Sequence, residues 1–204
     1  MDSPATLKGM VDAVAENDGR VRALVASVGY PAPRLRPAGF GALLRIILGQ
    51  QVSVAAARTI AGRVWAMMDD APSAAKLSTL PDPALRGAGL SRQKLAYARS
   101  LADALESGAL NLDALSQMND EAAIKALTAV KGLGRWSAEM YLMFSLQRPD
   151  IWPVGDLGVR EGVRRVFRLE TRPSPAETRT LGEGWRPHRS VMAMMMWRIL
   201  NNAP

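Results

Sequence analysis

The stretch Val130-Lys131-Gly132-Leu133-Gly134-Arg135-Trp136-Ser137 decides how this 204-residue chain is read. Helical patterns flank it over 121–129 and 136–147, so its Gly-x-Gly is placed as a tight hairpin between two helices. Glycine lacks Cβ, which lets the backbone take positive φ and approach another group closely. Amides in the first turn of the next helix have no intrahelical acceptor, and such amides bind phosphate. Gly132 and Gly134 are therefore candidates for a backbone grip, with Lys131 beside them and the Ser137 hydroxyl in the following turn. An ordinary turn between two helices favours glycine for the same reason, so this motif alone decides nothing.

Asp156 follows 20 residues after Trp136, behind Pro153-Val154-Gly155 and ahead of a helical pattern over 157–168. Its side chain suits a helix N-cap, which is what most aspartates in such a place do. It is also a carboxylate that faces whatever the hairpin holds. A phosphate grip with one carboxylate nearby points to chemistry on a nucleic-acid strand.

Charge agrees with a polyanionic partner. The net charge is +7, and residues 131–204 hold 12 Lys and Arg against 7 Asp and Glu, whereas residues 1–130 hold 14 against 12. A basic bias around the hairpin is what a DNA-facing surface shows. Cysteine is absent, which excludes disulfides, thiolate zinc sites and cysteine-bound iron–sulfur clusters and fits a cytoplasmic location. No run approaches the roughly 18 uncharged apolar residues of a membrane span. Residues 1–20 carry charges throughout, unlike a signal peptide.

The periodicity is helical nearly everywhere, and no stretch alternates as a strand does. Residues 54–68 put Val54, Ala57, Ala61, Val64, Trp65 and Met68 on one face; residues 91–105 do the same with Leu95, Ala98, Leu101 and Leu105. A last helix from about Pro187 to Asn201 carries Met192, Met194, Met195, Met196 and Trp197, residues that usually fill cores. Pairs of prolines (Pro31 and Pro33, Pro81 and Pro83, Pro149 and Pro153, Pro173 and Pro175) mark connections. The chain is read as all-α, with about ten helices. His188 is the one histidine, read as surface or packing, and no Ser-His-Asp set, phosphate loop or dinucleotide fingerprint is present.

Four blocks taken together say more. Leu127–Ala138 with its hairpin, Trp152-Pro153-Val154-Gly155-Asp156-Leu157-Gly158-Val159-Arg160, Ile47-Leu48-Gly49-Gln50-Gln51-Val52-Ser53-Val54-Ala55 and Trp185-Arg186-Pro187-His188-Arg189-Ser190 stand in this chain. They resemble the helix-hairpin-helix plus Gly/Pro-Asp signature of the DNA glycosylase superfamily, and within it the AlkA-type 3-methyladenine DNA glycosylase II family. The likeness runs from about residue 20 to Trp197. Superfamily members that also cut the strand carry lysine two residues after the second hairpin glycine, where this chain has Trp136. That difference and the missing cysteines imply a monofunctional enzyme for alkylated bases. Lys131, Gln51 and Met140 stand where the family's archetype has proline, leucine and tyrosine, and the archetype's mixed N-terminal domain is absent.

The resemblance implies a helix-hairpin-helix glycosylase fold of two helical lobes, 39–148 and 1–38 with 149–204, and an active cleft between them. It places Trp136, Trp197, Met140 and Tyr141 in the base pocket. Gln51 becomes the wedge that fills the gap left by a flipped base, with Gln50, Lys131, Gly132, Gly134 and Ser137 on DNA. Carbonyls of Thr128, Val130 and Leu133 would hold a monovalent cation, and no other cofactor is implied. An ionised Asp156 would stabilise the sugar cation or orient the attacking water. The implied partner is double-stranded DNA with alkylated purines, met by a monomer with no membrane attachment. Two alternatives stay open: a relative acting on uracil, a mismatch or an oxidised purine, and a module that only binds DNA.

Overall fold

A computed structural model describes residues 1–201. Among them the chain forms thirteen α-helices, one 3-10 turn and no strand. They are α1 (Pro4–Asn17), α2 (Gly19–Val28), α3 (Phe40–Gly49), α4 (Val54–Ala66), α5 (Ala74–Thr79), α6 (Asp82–Gly87), α7 (Arg92–Glu106), α8 (Leu112–Leu115), α9 (Asp120–Thr128), α10 (Arg135–Phe144), α11 (Leu157–Phe167), α12 (Pro175–Leu181) and α13 (Arg189–Asn201), with the 3-10 turn at Glu183–Trp185. The helices beyond the ten expected are mostly short: α5, α6 and α8 have 6, 6 and 4 residues, too few to display a period. None of the described helices is long and apolar enough to cross a membrane.

Two compact units emerge. One comprises residues 36–141, the other 1–35 with 142–204. The end of α10, from Leu142, goes with the second set of residues, where the sequence reading divided the chain at 38/39 and 148/149.

In the unit 36–141, α3 is the central helix. Seven of its ten residues are buried, including Leu43, Leu44, Ile47 and Leu48, and its single charged residue, Arg45, is exposed. It packs on α4 and α7, while α7 also packs on α5 and α6. Leu95, Ala98 and Leu101 of α7 are buried as their spacing predicts. Val54 departs from expectation: it is 79% exposed, since the first turn of α4 runs clear of the core that receives Ala61 and Val64.

In the unit 1–35 with 142–204, α11 and α13 make the main contact, joined by α1 and α2. Gly162 is what lets α11 meet α13 closely, for a Cβ there would lie 2.5 Å from Met196 Cβ. Met192, Met194, Met195 and Met196 are all buried, as Leu7, Val11, Val21, Val159 and Val163 are. Trp185 packs edge-on against Trp152, ring centroids 5.4 Å apart, and its indole N–H donates to Asp18 over 3.1 Å.

Candidate active site and hairpin

The hairpin is built by three buried apolar residues. Leu127, Val130 and Leu133 anchor the end of α9 and the turn in their own unit's core, and Leu133 N–H closes the turn on the Val130 carbonyl at 3.1 Å. Its two glycines do different work. Gly132 has φ of +98°, and a Cβ there would stand 2.2 Å from Cγ of Tyr97. It is fixed by both backbone conformation and the ring lying on it. Gly134 is not in the left-handed region, and a Cβ there meets nothing within 4 Å. Its bare backbone is open to a ligand at the start of α10.

Arg135 locks the two helices of the hairpin together. Its guanidinium donates to both Glu121 oxygens, at 2.5 and 3.0 Å, and to Glu139 at 3.0 Å. That charge is spent within the protein. Lys131, expected on DNA, is exposed and makes no ion pair among the described residues. Ser137, expected to offer its hydroxyl, is 3% exposed.

The turn from α3 to α4 holds Gln50 and Gln51. Gln50 was expected on DNA; its side-chain amide instead donates to the Gly132 carbonyl at 2.9 Å, making it a strut under the hairpin. Lys94 adds a second strut, donating 2.7 Å to the Leu48 carbonyl at the end of α3, and burial lowers its pKa below the usual lysine range. Gln51 is exposed at the tip with φ of +55°. It is one of five non-glycine residues with positive φ among the described residues, so strain does not single it out. The exposure of Val52 and Val54 beside it does, since an apolar tip in water is costly without a partner.

Of the expected pocket residues in this unit, Trp136 is 43% exposed on the first turn of α10. Met140 is buried. Tyr141 is 1% exposed and its hydroxyl accepts the Gly39 N–H at 3.0 Å, a packing role rather than a base-facing one. Burial raises the Tyr141 hydroxyl above its ordinary value.

Asp156 lies in the other unit. Nine helices here begin on Ser, Asp or Asn whose side chain accepts a first-turn N–H, and Asp156 is one of them. Capping alone therefore says nothing about chemistry. Asp156 takes a second donor as well: its Oδ1 accepts Val159 N–H at 2.8 Å and the Trp197 indole N–H at 2.9 Å, much as Asp18, the cap of α2, also accepts the Trp185 indole N–H at 3.1 Å. The structure thus brings Asp156 and Trp197 together.

The loop leading to Asp156 is held firmly. Ile151, Trp152, Pro153 and Val154 are buried, and the Trp152 indole donates to the Thr178 carbonyl at 2.9 Å. Ser190, 0% exposed, donates to the Arg148 carbonyl at 2.6 Å and accepts Ile151 N–H at 2.8 Å. Arg189 grips the Asp150 carboxylate with Nε at 2.8 Å and Nη2 at 2.9 Å. Sequence reasoning marked the block Trp185–Ser190 without giving it a task. The partners of Arg189 and Ser190 lie 39 to 42 residues away, a separation that one sequence does not reveal.

Residues 44–187 match the family described as HhH-GPD superfamily base excision DNA repair protein. The chain belongs to this family. It is 31% identical to DNA-3-methyladenine glycosylase 1 of Schizosaccharomyces pombe over 76% of this chain and 70% of that protein. It is 26% identical to the putative DNA-3-methyladenine glycosylase YfjP of Bacillus subtilis, over 79% of this chain, and spans 58% of that relative's length. Among solved structures, S. pombe 3-methyladenine DNA glycosylase (Mag1) in complex with abasic DNA aligns with a TM-score of 0.86 and 28% identity, covering 96% of this chain and 98% of that one.

Proposed function

We propose that this chain is a monofunctional DNA glycosylase of base excision repair that hydrolyses the N-glycosidic bond of alkylated purines, 3-methyladenine foremost and 7-methylguanine as well. The carrying observation is the Asp156 carboxylate, held on one oxygen by α11 and by Trp197. Its placement behind a helix-hairpin-helix, in a family of base excision repair proteins, supports the reading.

The physics of the reaction matches these residues. An N3- or N7-alkylated purine carries positive charge and leaves with the bonding electron pair, which neutralises it without help from a general acid. The enzyme's tasks are to expose the base and to stabilise the sugar. Flipping the nucleotide costs a few kcal/mol, which Gln51 offsets by filling the gap in the stack. The exposed Trp136 indole suits a cationic ring, a contact worth about 0.5–2 kcal/mol. Asp156 offsets the cation at C1′ as water adds there and loses a proton. The hairpin amides and Lys131 hold the backbone phosphates. The protein acts as a monomer on double-stranded DNA.

A monovalent cation at the hairpin belongs to the same proposal. Carbonyl oxygens of Thr128, Val130 and Leu133 are neutral, hard donors of the right kind, and the Val130 carbonyl also accepts Leu133 N–H. Such an ion adds positive charge toward the phosphate.

The direct test is base release from duplex DNA carrying methylated purines, set against a panel with uracil, mismatched and oxidised bases. Release of 3-methyladenine or 7-methylguanine supports the proposal. Release confined to the other lesions, or binding without release, overturns it.

A further inference from the structure

We infer that Trp197 is a positioning residue for Asp156, and that Gly158 is the position whose missing side chain admits it. The inference rests on the reading of Asp156 as the group that acts on the sugar.

Trp197 sits near the end of α13, half-buried, with the Phe144 ring 6.1 Å away and tilted by 33°. Its indole N–H reaches the same oxygen of Asp156 that caps α11. The two donors differ in origin. The cap bond comes from α11 itself and would form in any helix starting on aspartate. Rotation of an aspartate about its last torsion is soft, so one bond to one oxygen does not fix the plane of the carboxylate. A second donor, arriving from α13, does. The orientation of Asp156 is thereby linked to the packing of α13 on α11.

Gly158 carries the inference further. A Cβ at this position would stand 2.9 Å from Trp197 Cδ1, 3.1 Å from its Nε1 and 3.1 Å from Asp156 Oδ1. Its φ lies outside the left-handed region, so the backbone does not ask for glycine. Glycine also weakens a helix relative to alanine. The remaining reason for glycine in the first turn of α11 is the space that the indole edge occupies on its way to the carboxylate. A tryptophan serving only as an aromatic face would need neither the N–H contact nor Gly158.

Two substitutions and their combination test this by single-turnover base release from methylated duplex DNA. Trp197→Phe keeps an aromatic ring and removes the donor. Gly158→Ala keeps the donor and pushes it off line. Each is expected to slow release by about 10- to 100-fold, the rate equivalent of one charge-assisted hydrogen bond. Affinity for duplex with an abasic analogue and the unfolding temperature should stay near wild type. The double variant should be no slower than the slower single variant, because both changes remove the same contact.

Wild-type rates for Trp197→Phe, or losses that multiply in the double variant, would overturn the inference. Should Trp197→Phe unfold, Gly158→Ala decides alone, since it leaves the indole present. A wild-type protein that releases no methylated base, or an active Asp156→Asn, would instead sink the functional reading beneath it.

Discussion

The side-chain amide of Gln50 donates to the carbonyl of Gly132 over 2.9 Å, tying the end of α3 to the tip of the hairpin 82 residues later. Its neighbour Gln51 is exposed at the turn. The two glutamines should therefore fail differently. Gln50→Ala leaves a backbone carbonyl without its partner, costing about 1 kcal/mol of stability, and loosens the grip on damaged and undamaged duplex equally. Gln51→Ala should leave stability unchanged and slow base release. Thermal unfolding, binding to undamaged duplex and single-turnover release separate the two; equal behaviour of both variants would contradict the division.

The hairpin glycines separate in the same way. Gly132→Ala places Cβ against the Tyr97 ring with φ at +98°, so it should cost at least about 2 kcal/mol of stability. Gly134→Asp enters open space and should fold normally. Its negative charge should weaken binding to damaged and undamaged duplex alike, because phosphate contacts carry no lesion information. Loss of affinity for lesion DNA alone would show that the hairpin is not a backbone grip.

The contrast between these glycines also marks how far the sequence can be read. Both look the same as letters, and only the fold lays Tyr97 on one of them. The amphipathic helices α4, α7, α9 and α11 are legible because each has a polar side that reveals its period, whereas α10 and α13, buried along most of their length, are marked by the hairpin before one and the run of methionines in the other. In α3 the polar side is a single arginine, Arg45, and α5, α6 and α8 are too short. At the site, the cap on α11 was readable from Pro153-Val154-Gly155-Asp156 ahead of an apolar pattern. The Trp197 contact with Asp156 was not, because it depends on where α13 crosses α11. Gln50, Ser137 and Tyr141 were expected to face a ligand; Ser137 and Tyr141 are instead buried in α10, and the half-buried Gln50 bonds to the hairpin carbonyl, because burial and long-range contact are properties of the packed unit.

With tryptophan at position 136, the product strand should keep an intact abasic site. Denaturing electrophoresis should show cleavage only after alkali or heat. Borohydride added during turnover should trap no covalent adduct. A trapped complex in amounts comparable to the enzyme would refute the monofunctional assignment and require an amine nucleophile elsewhere.

Asp18 offers a test of stability against pH. Burial alone pushes its carboxyl up, but hydrogen bonds from the Arg20 side chain, the Trp185 indole and the Arg20 backbone bring it below the ordinary value of 3.8. A carboxyl lowered by folding stabilises the fold fully above its unfolded value, and that share is lost as pH falls through the folded value. Asp18→Asn should therefore unfold at a lower temperature than wild type near neutrality. The gap should narrow as pH drops below about 3.8. A gap that stays constant into that acid range would mean the charge of Asp18 contributes nothing.

The measurement that bears most directly on the whole account compares Asp156→Asn with wild type in two assays: single-turnover release of methylated purines, and binding to duplex with an abasic analogue. Asparagine keeps the size and much of the capping ability, yet it cannot offset a cation at C1′. Release should fall by on the order of 10²–10³ or more, while binding stays within a few-fold of wild type. An Asp156→Asn protein that releases bases at a near-wild-type rate would leave Asp156 as a helix cap and nothing else.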